Sequence, residues 1–149
     1  MFFMKTDVIK NKITEYVLNS SDIDVEVLKE LRDELRGNKT IMLRTFKTGE
    51  VIIPENQVVR VEAQKAYSIF HLENGRQIVS SRNLNYHQKQ MDKNMFMRAH
   101  RSQLINIFQV EKIINLHERK LLMKGNVVLE FSRRNMAEVK SKLHHLLDK

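Results

Sequence analysis

Val58-Val59-Arg60-Val61, Tyr67-Ser68-Ile69-Phe70 and Gln77-Ile78-Val79 stand in close succession, with Asn74-Gly75 between the last two. Short runs rich in β-branched residues, parted by a dipeptide that accepts positive φ, mark antiparallel strands joined by hairpins. The pattern extends outward on both sides. Ile41-Met42-Leu43-Arg44 and Val51-Ile52-Ile53 come before, divided by a turn at Thr48-Gly49. Pro54 stops the second run, because it cannot donate to a ladder. Lys112-Ile113-Ile114, Lys120-Leu121-Leu122-Met123 and Val127-Val128-Leu129-Glu130-Phe131 come after, with Gly125-Asn126 as a further hairpin dipeptide. Strands at this spacing predict antiparallel sheets rather than βαβ units. The chain has only four Gly, and no glycine-rich phosphate loop occurs.

Helical spacing interrupts the strands. Leu84, His87 and Met91 predict a short helix over residues 84–91, capped by Asn83. Met136, Val139, Leu143, Leu146 and Leu147 share one stripe, and Asn135 followed by Glu138 predicts a capping box at its start. Ahead of the strands, Ile9, Ile13, Tyr16 and Val17 recur at helical spacing, and Asn19-Ser20-Ser21-Asp22 breaks the pattern. Leu28, Leu31 and Leu35 mark a second helix that Gly37 ends. Two short amphipathic helices cannot bury their stripes alone. They read either as a packed cap or as a dimerisation or regulatory arm.

Charge divides the chain at the same place. Residues 1–37 carry 6 basic and 8 acidic side chains, and residues 38–149 carry 20 basic and 10 acidic, with all six His. The expected organisation is an N-terminal helical arm over residues 1–38 and a basic β domain over residues 39–149. The overall formal charge of +8 fits a polyanionic partner, and the larger piece is where it would bind. A content of 42% hydrophobic and 30% charged residues supports a packed core rather than disorder. The absence of Cys excludes disulfides, Cys-ligated zinc, iron–sulfur clusters and thiol catalysis. Apolar runs are too short to span a membrane, and Met1-Phe2-Phe3-Met4-Lys5 does not open a secretory signal. The chain is expected to be soluble and cytoplasmic, with no cofactor and no metal.

Reading duplex DNA takes cations for phosphate and planar or amide groups for base edges; Arg suits guanine and Asn suits adenine. The residues of those types at element ends are Lys65 and Tyr67; Arg82, Asn83 and Asn85; Arg98, His100 and Arg101; and Arg133, Arg134 and Asn135. Each alone has the composition of an ordinary solvated surface. Arg133-Arg134 ahead of a helix start is better placed, since backbone N–H groups there also bind phosphate.

The run Phe96-Met97-Arg98-Ala99-His100-Arg101-Ser102-Gln103-Leu104-Ile105-Asn106 resembles the F-x-R-x-H-R-S-x-[IV]-[IV]-N core of the LytTR DNA-binding domain of bacterial transcription regulators. Val110-Glu111-Lys112-Ile113 is similar to the strand that follows in that family, and Phe131-Ser132-Arg133-Arg134-Asn135 to its S-R-R element. Val59-Arg60-Val61-Glu62-Ala63 with Tyr67 resembles its I-x-x-I-E-A and Tyr positions, and Asn83-Leu84 the opening of its short helix. The resemblance covers about residues 40–147.

It implies a mainly β (α+β) fold, an elongated antiparallel domain with short helices whose loops enter successive major grooves. Carried over by position, the base-contacting candidates are Lys65, Tyr67, Asn83 and Arg134. Phosphate or positioning roles fall to Arg82, His100, Arg101, Ser102 and Arg133. Asn106 is read as a cap on the turn after the motif, and His100 alternatively as the partner of a buried backbone carbonyl. The resemblance also implies a homodimer on direct or imperfect repeats of double-stranded DNA. Residues 1–37 are too few for a receiver domain, so the chain is expected to be a stand-alone regulator, in some relatives held by a membrane-protein inhibitor. No small-molecule substrate is inferred.

Two rival classes fare worse. A nuclease needs convergent carboxylates or His at ligand spacing, whereas His71, His87 and His117 lie singly and His144-His145 diverge on a helix. An RNA-binding module, or a non-specific nucleic-acid binder, is the alternative reading. With 7% aromatics and no interleaved aromatic strand, the RNA-recognition pattern is missing.

Overall fold

A computed structural model describes residues 39–147. The expected N-terminal helices lie outside the described residues. Ten strands and two short α-helices make up the described part. They are β1 (Thr40–Thr45), β2 (Gly49–Pro54), β3 (Val58–Gln64), β4 (Tyr67–Leu72), β5 (Gln77–Ser80), α1 (Leu84–Gln90), β6 (Phe96–His100), β7 (Gln103–Asn106), β8 (Val110–Asn115), β9 (Lys120–Met123), β10 (Val127–Glu130) and α2 (Met136–Lys142).

Every ladder is antiparallel, in three sheets. The first is the β1–β2 hairpin, the second has the order β5-β4-β3-β7-β6, and the third β10-β9-β8. The turn dipeptides act as expected. Gly49, Gly75 and Gly125 take φ of 75°, 85° and 90°, and Asn126 follows at 61°. Gly125 and Asn126 in sequence at positive φ give β9–β10 a connection whose twist matches that of its strands.

The middle sheet separates two cores. On one face Leu43 and Ile53 of the hairpin and Leu84 and Met91 of the α1 region pack on Val61, Phe70, Ile78, Phe96 and Leu104. On the other, Leu121, Met123, Phe131, Val139 and Leu143 pack on Met97, Ala99 and Ile105. Strands β6 and β7 therefore carry cover on both sides, while β4 and β5 keep one face more open.

α1 starts as expected, since Asn83 Oδ1 accepts from Tyr86 N–H at 2.9 Å. The expected capping box at α2 does not form. The residues Arg133–Asn135 make a 3-10 turn instead, and Asn135 Nδ2 donates to Ser132 Oγ at 2.7 Å. Glu138 pairs with Lys142 one turn on, at 3.2 Å. The apolar stripe holds at Val139 and Leu143, but a 3-10 turn over His144–Leu146 breaks the helix and leaves Leu147 39% exposed. Asn106 is 2% exposed and caps the turn after the motif, accepting from Phe108 N–H.

Candidate nucleic-acid interface

Antiparallel order brings one set of strand ends together. The C-terminal ends of β5, β3 and β6 and the N-terminal ends of β4 and β7 fall on one edge of the middle sheet. The β3–β4 turn carries Lys65, the β5–α1 loop carries Arg82 and Asn83, and the β6–β7 turn carries Arg101 and Ser102. Backbone hydrogen bonds tie two of these segments, and a third beyond them, into a row. Ala63 N–H donates to Ser102 O at 2.9 Å, joining the β3–β4 and β6–β7 turns. Ser132 N–H donates to Ala99 O at 2.8 Å, which brings Arg133 and Arg134 alongside. That second bond depends on a bulge. The β6–β7 register shifts between Arg98 and His100, so Ala99 leaves the ladder and its carbonyl is available to Ser132.

The charges along this row are uncompensated. Lys65, Arg82, Arg101, Arg133 and Arg134 are exposed, and among the described residues none forms an ion pair. Arg44, Arg60 and Arg119 instead meet Glu50, Glu62 and Glu130. Lys65 stands at φ 57°, a left-handed value that projects it from a two-residue turn. Tyr67 is half-buried and packs edge-on against Phe46, with ring centroids 5.9 Å apart. Arg82 lies over the Tyr86 ring, 5.0 Å from its centre.

Three candidates are more constrained than their residue types suggest. Asn83 spends one Oδ1 lone pair on the helix cap, so its free donor is Nδ2. Among the described residues no backbone carbonyl meets the His100 ring. Its Nδ1 accepts from Ser102 N–H at 3.2 Å and lies 2.9 Å from Ser102 Oγ. An N–H can only donate, so Nδ1 is the bare nitrogen, and neutral His100 carries its proton on Nε2. Arg98 is held within the protein. Its Nε donates to His100 O at 2.9 Å, Nη1 to Asn85 Oδ1 at 2.9 Å and Gln88 Oε1 at 2.8 Å, and Nη2 to Arg101 O. Asn85 and Arg98 thus leave the set of DNA-facing groups and join the scaffold that holds the β6–β7 turn against α1.

The family model of the LytTr DNA-binding domain matches residues 48–144. The chain belongs to the LytTR family. Duplex DNA is the partner that this membership gives it, and transcription regulation its class of activity. A solved structure agrees on the fold. The LytTr DNA-binding domain of a methyl-accepting/DNA response regulator from Bacillus cereus superposes with a TM-score of 0.61 at 20% identity, covering 72% of this chain and 98% of that one. The comparison with curated proteins returns no match. No helix among the described residues is long and apolar enough to cross a membrane.

The LytTR loops rest on a buried polar cluster that spacing alone did not reveal. Ser68 Oγ donates to Arg82 O at 2.9 Å, and Ser80 Oγ accepts from Arg82 N–H at 3.2 Å. Ser80 Oγ also meets His87 Nε2 at 2.7 Å. In the sequence His87 is a helix-stripe residue with no sign of this role. It is 2% exposed and stands edge-on to Phe70, 4.7 Å away. Burial, with the Arg82 charge adding to it, pushes the His87 pKa down to about 4. The folded protein thus resists a proton that the unfolded chain takes up near 6.5. Stability is expected to be full above that pH, and to fall as pH drops towards about 4, by up to about 1.4 kcal/mol per pH unit from this one group. Urea unfolding at a series of pH values, compared with His87→Gln, checks this. The variant should lose that part of the slope.

Proposed function

We propose that this LytTR protein is a sequence-specific regulator that reads double-stranded DNA through the loops at one edge of its middle sheet. One observation carries the reading. Exposed cations that form no ion pair among the described residues stand on four neighbouring segments, three held in a row by backbone hydrogen bonds and the Arg82 loop tied to β4 through Ser68 Oγ. Phosphate attraction supplies affinity and base edges supply choice. Lys65, Tyr67, Asn83 and Arg134 are assigned to bases, Asn83 as a donor through Nδ2. Arg82, His100, Arg101, Ser102 and Arg133 are assigned to phosphates or positioning. The fixed tautomer of His100 presents an Nε2–H donor for that purpose.

The proposal extends to assembly. The protein acts as a homodimer on direct or imperfect repeats in the cytoplasm. Residues 39–149 form the DNA-binding domain, and residues 1–38 mediate dimerisation or contact with an inhibitory membrane protein. The opposed charge of the two segments supports that division. If deleting residues 1–37 left oligomeric state, regulation and DNA affinity unchanged, the arm would have no such role.

Selection of bound sites from a random duplex pool, followed by anisotropy titration at two salt concentrations, tests the central claim. A repeated motif spaced near one helical turn, bound far more tightly than scrambled DNA, is the expected outcome. Binding that is weak, salt-sensitive and without a motif would contradict it. Contact type separates two variants. Arg134→Ala should cost about 1–3 kcal/mol and blur the preference at one base position. Arg101→Ala should weaken all sequences alike and flatten the salt slope. The reverse pattern would exchange the two roles.

A further inference from the structure

The β1–β2 turn falls between two of the reading loops, yet no motif pointed to it. Ser81 N–H donates to Arg44 O at 2.8 Å, fixing the end of β1 beside the Arg82–Asn83 loop. Phe46 meets Tyr67 edge-on and so adjoins the Lys65 turn. The turn is also closed by its own hydrogen bonds. Thr45 Oγ1 accepts from Thr48 N–H at 3.0 Å and lies 2.7 Å from Thr48 Oγ1 and 3.0 Å from Gly49 O. Gly49 closes it at φ 75°.

What it presents is unusual for an unoccupied surface. Phe46 is 70% exposed, the most exposed large apolar side chain among the described residues. Lys47 beside it is exposed and forms no ion pair among the described residues. An aromatic ring and a free cation, prebuilt on a short turn within a row of cations, suit the wall of a DNA groove. The cation meets a phosphate, and the ring covers the C5-methyl group of a thymine.

We infer that the β1–β2 turn is a further DNA-contacting element, in which Lys47 binds a backbone phosphate and Phe46 packs on a thymine methyl. This rests on the proposed reading of the same edge as the DNA interface. It places a base-sensitive contact on a residue type outside the donor and acceptor inventory used above. It also brings a separate sheet into the interface, between the β5–α1 and β3–β4 loops.

Deoxyuridine lacks only the C5-methyl of thymidine, which gives a specific test. The full chain is titrated against the selected duplex with each thymidine replaced in turn by deoxyuridine, alongside Phe46→Ala, Lys47→Ala and Arg134→Ala. The wild type should lose about fourfold in affinity at one position, the worth of one buried methyl. Phe46→Ala should bind the unmodified duplex weakly and lose sensitivity at that position alone. Lys47→Ala should weaken all duplexes and reduce the salt slope by about one unit. The side chains replaced are exposed, so melting temperatures should stay near wild type.

Three results would overturn the inference. If Phe46→Ala and Lys47→Ala bind as wild type while Arg134→Ala does not, the edge reads DNA without this turn. If Phe46→Ala weakens binding but keeps the wild-type deoxyuridine profile, Phe46 only props Tyr67. If the wild type binds no duplex specifically, the reading of the whole edge fails with it.

Discussion

Asn106→Leu is expected to destabilise the fold by about 3 kcal/mol, although leucine has a similar volume and is apolar. Asn106 sits at the end of β7 and is 2% exposed. Its Nδ2 donates to Val58 O at 2.9 Å and its Oδ1 accepts from Phe108 N–H at 3.0 Å. These bonds fasten the start of β3 to the turn that follows the motif. Leucine would take away the side-chain partner of the buried Val58 carbonyl and of the half-buried Phe108 amide, at about 1–3 kcal/mol each. Asn106→Asp keeps the acceptor for Phe108 but turns an oxygen towards the Val58 carbonyl, so it should not restore stability. Urea unfolding gives the answer as a shift in midpoint at unchanged slope. A loss under about 1 kcal/mol for leucine would mean that the two backbone groups find other partners.

Arg98→Ala should weaken specific DNA binding by about 2–3 kcal/mol without removing any DNA contact. The guanidinium binds the carbonyls of His100 and Arg101 at the β6–β7 turn and two side chains of α1. Without it, residues such as Arg101 and Ser102 must be ordered at the moment of binding, at about 1–2 kcal/mol per residue. The loss in folding stability should be smaller, about 1–2 kcal/mol, because the released groups lie near the surface and can reach water. Arg98→Lys should not rescue binding, since an ammonium cannot span the forked set of acceptors. Anisotropy titration and thermal melting of the same samples separate the two effects. Unchanged affinity would show that the β6–β7 turn holds its shape unaided.

Much of the fold was legible because its outer strands alternate. β5 buries Ile78 and Ser80 and exposes Gln77 and Val79, and its turn contains Asn74-Gly75. The hairpin dipeptides carry their conformation in their residue types. Strands β6 and β7 were not legible by period. Both are covered on two faces, so β7 reads as three buried residues in a row and β6 buries three positions of five, Phe96, Met97 and Ala99. The family motif falls on this run, but neither it nor alternation assigned strands there.

The candidate site divides in the same way. The exposed cations could be listed from the sequence, because a cation at an element end is visible there. Which of them is already engaged could not. Arg98 finds Asn85 and Gln88 across 13 and 10 positions, through packing of α1 on the sheet. Asn135 looks like a cap in sequence, yet a 3-10 turn precedes α2 and diverts its side chain to Ser132. Phe46 carries no polar signal at all. Its exposure follows from the turn that presents it.

The bulge at Ala99 has a mechanical consequence. By lending a carbonyl to Ser132, it makes the distance between the Arg101 turn and the Arg133–Arg134 segment a property of the backbone rather than of side chains. With Ala63 joined to Ser102 in the same manner, these segments are mounted at fixed intervals, like the teeth of a gauge. Where those intervals differ from the repeat of a straight duplex, the softer body must yield, and that body is the DNA. Steps that kink or twist at little cost would then be favoured between the contacted bases, and selectivity would extend to positions that no side chain touches.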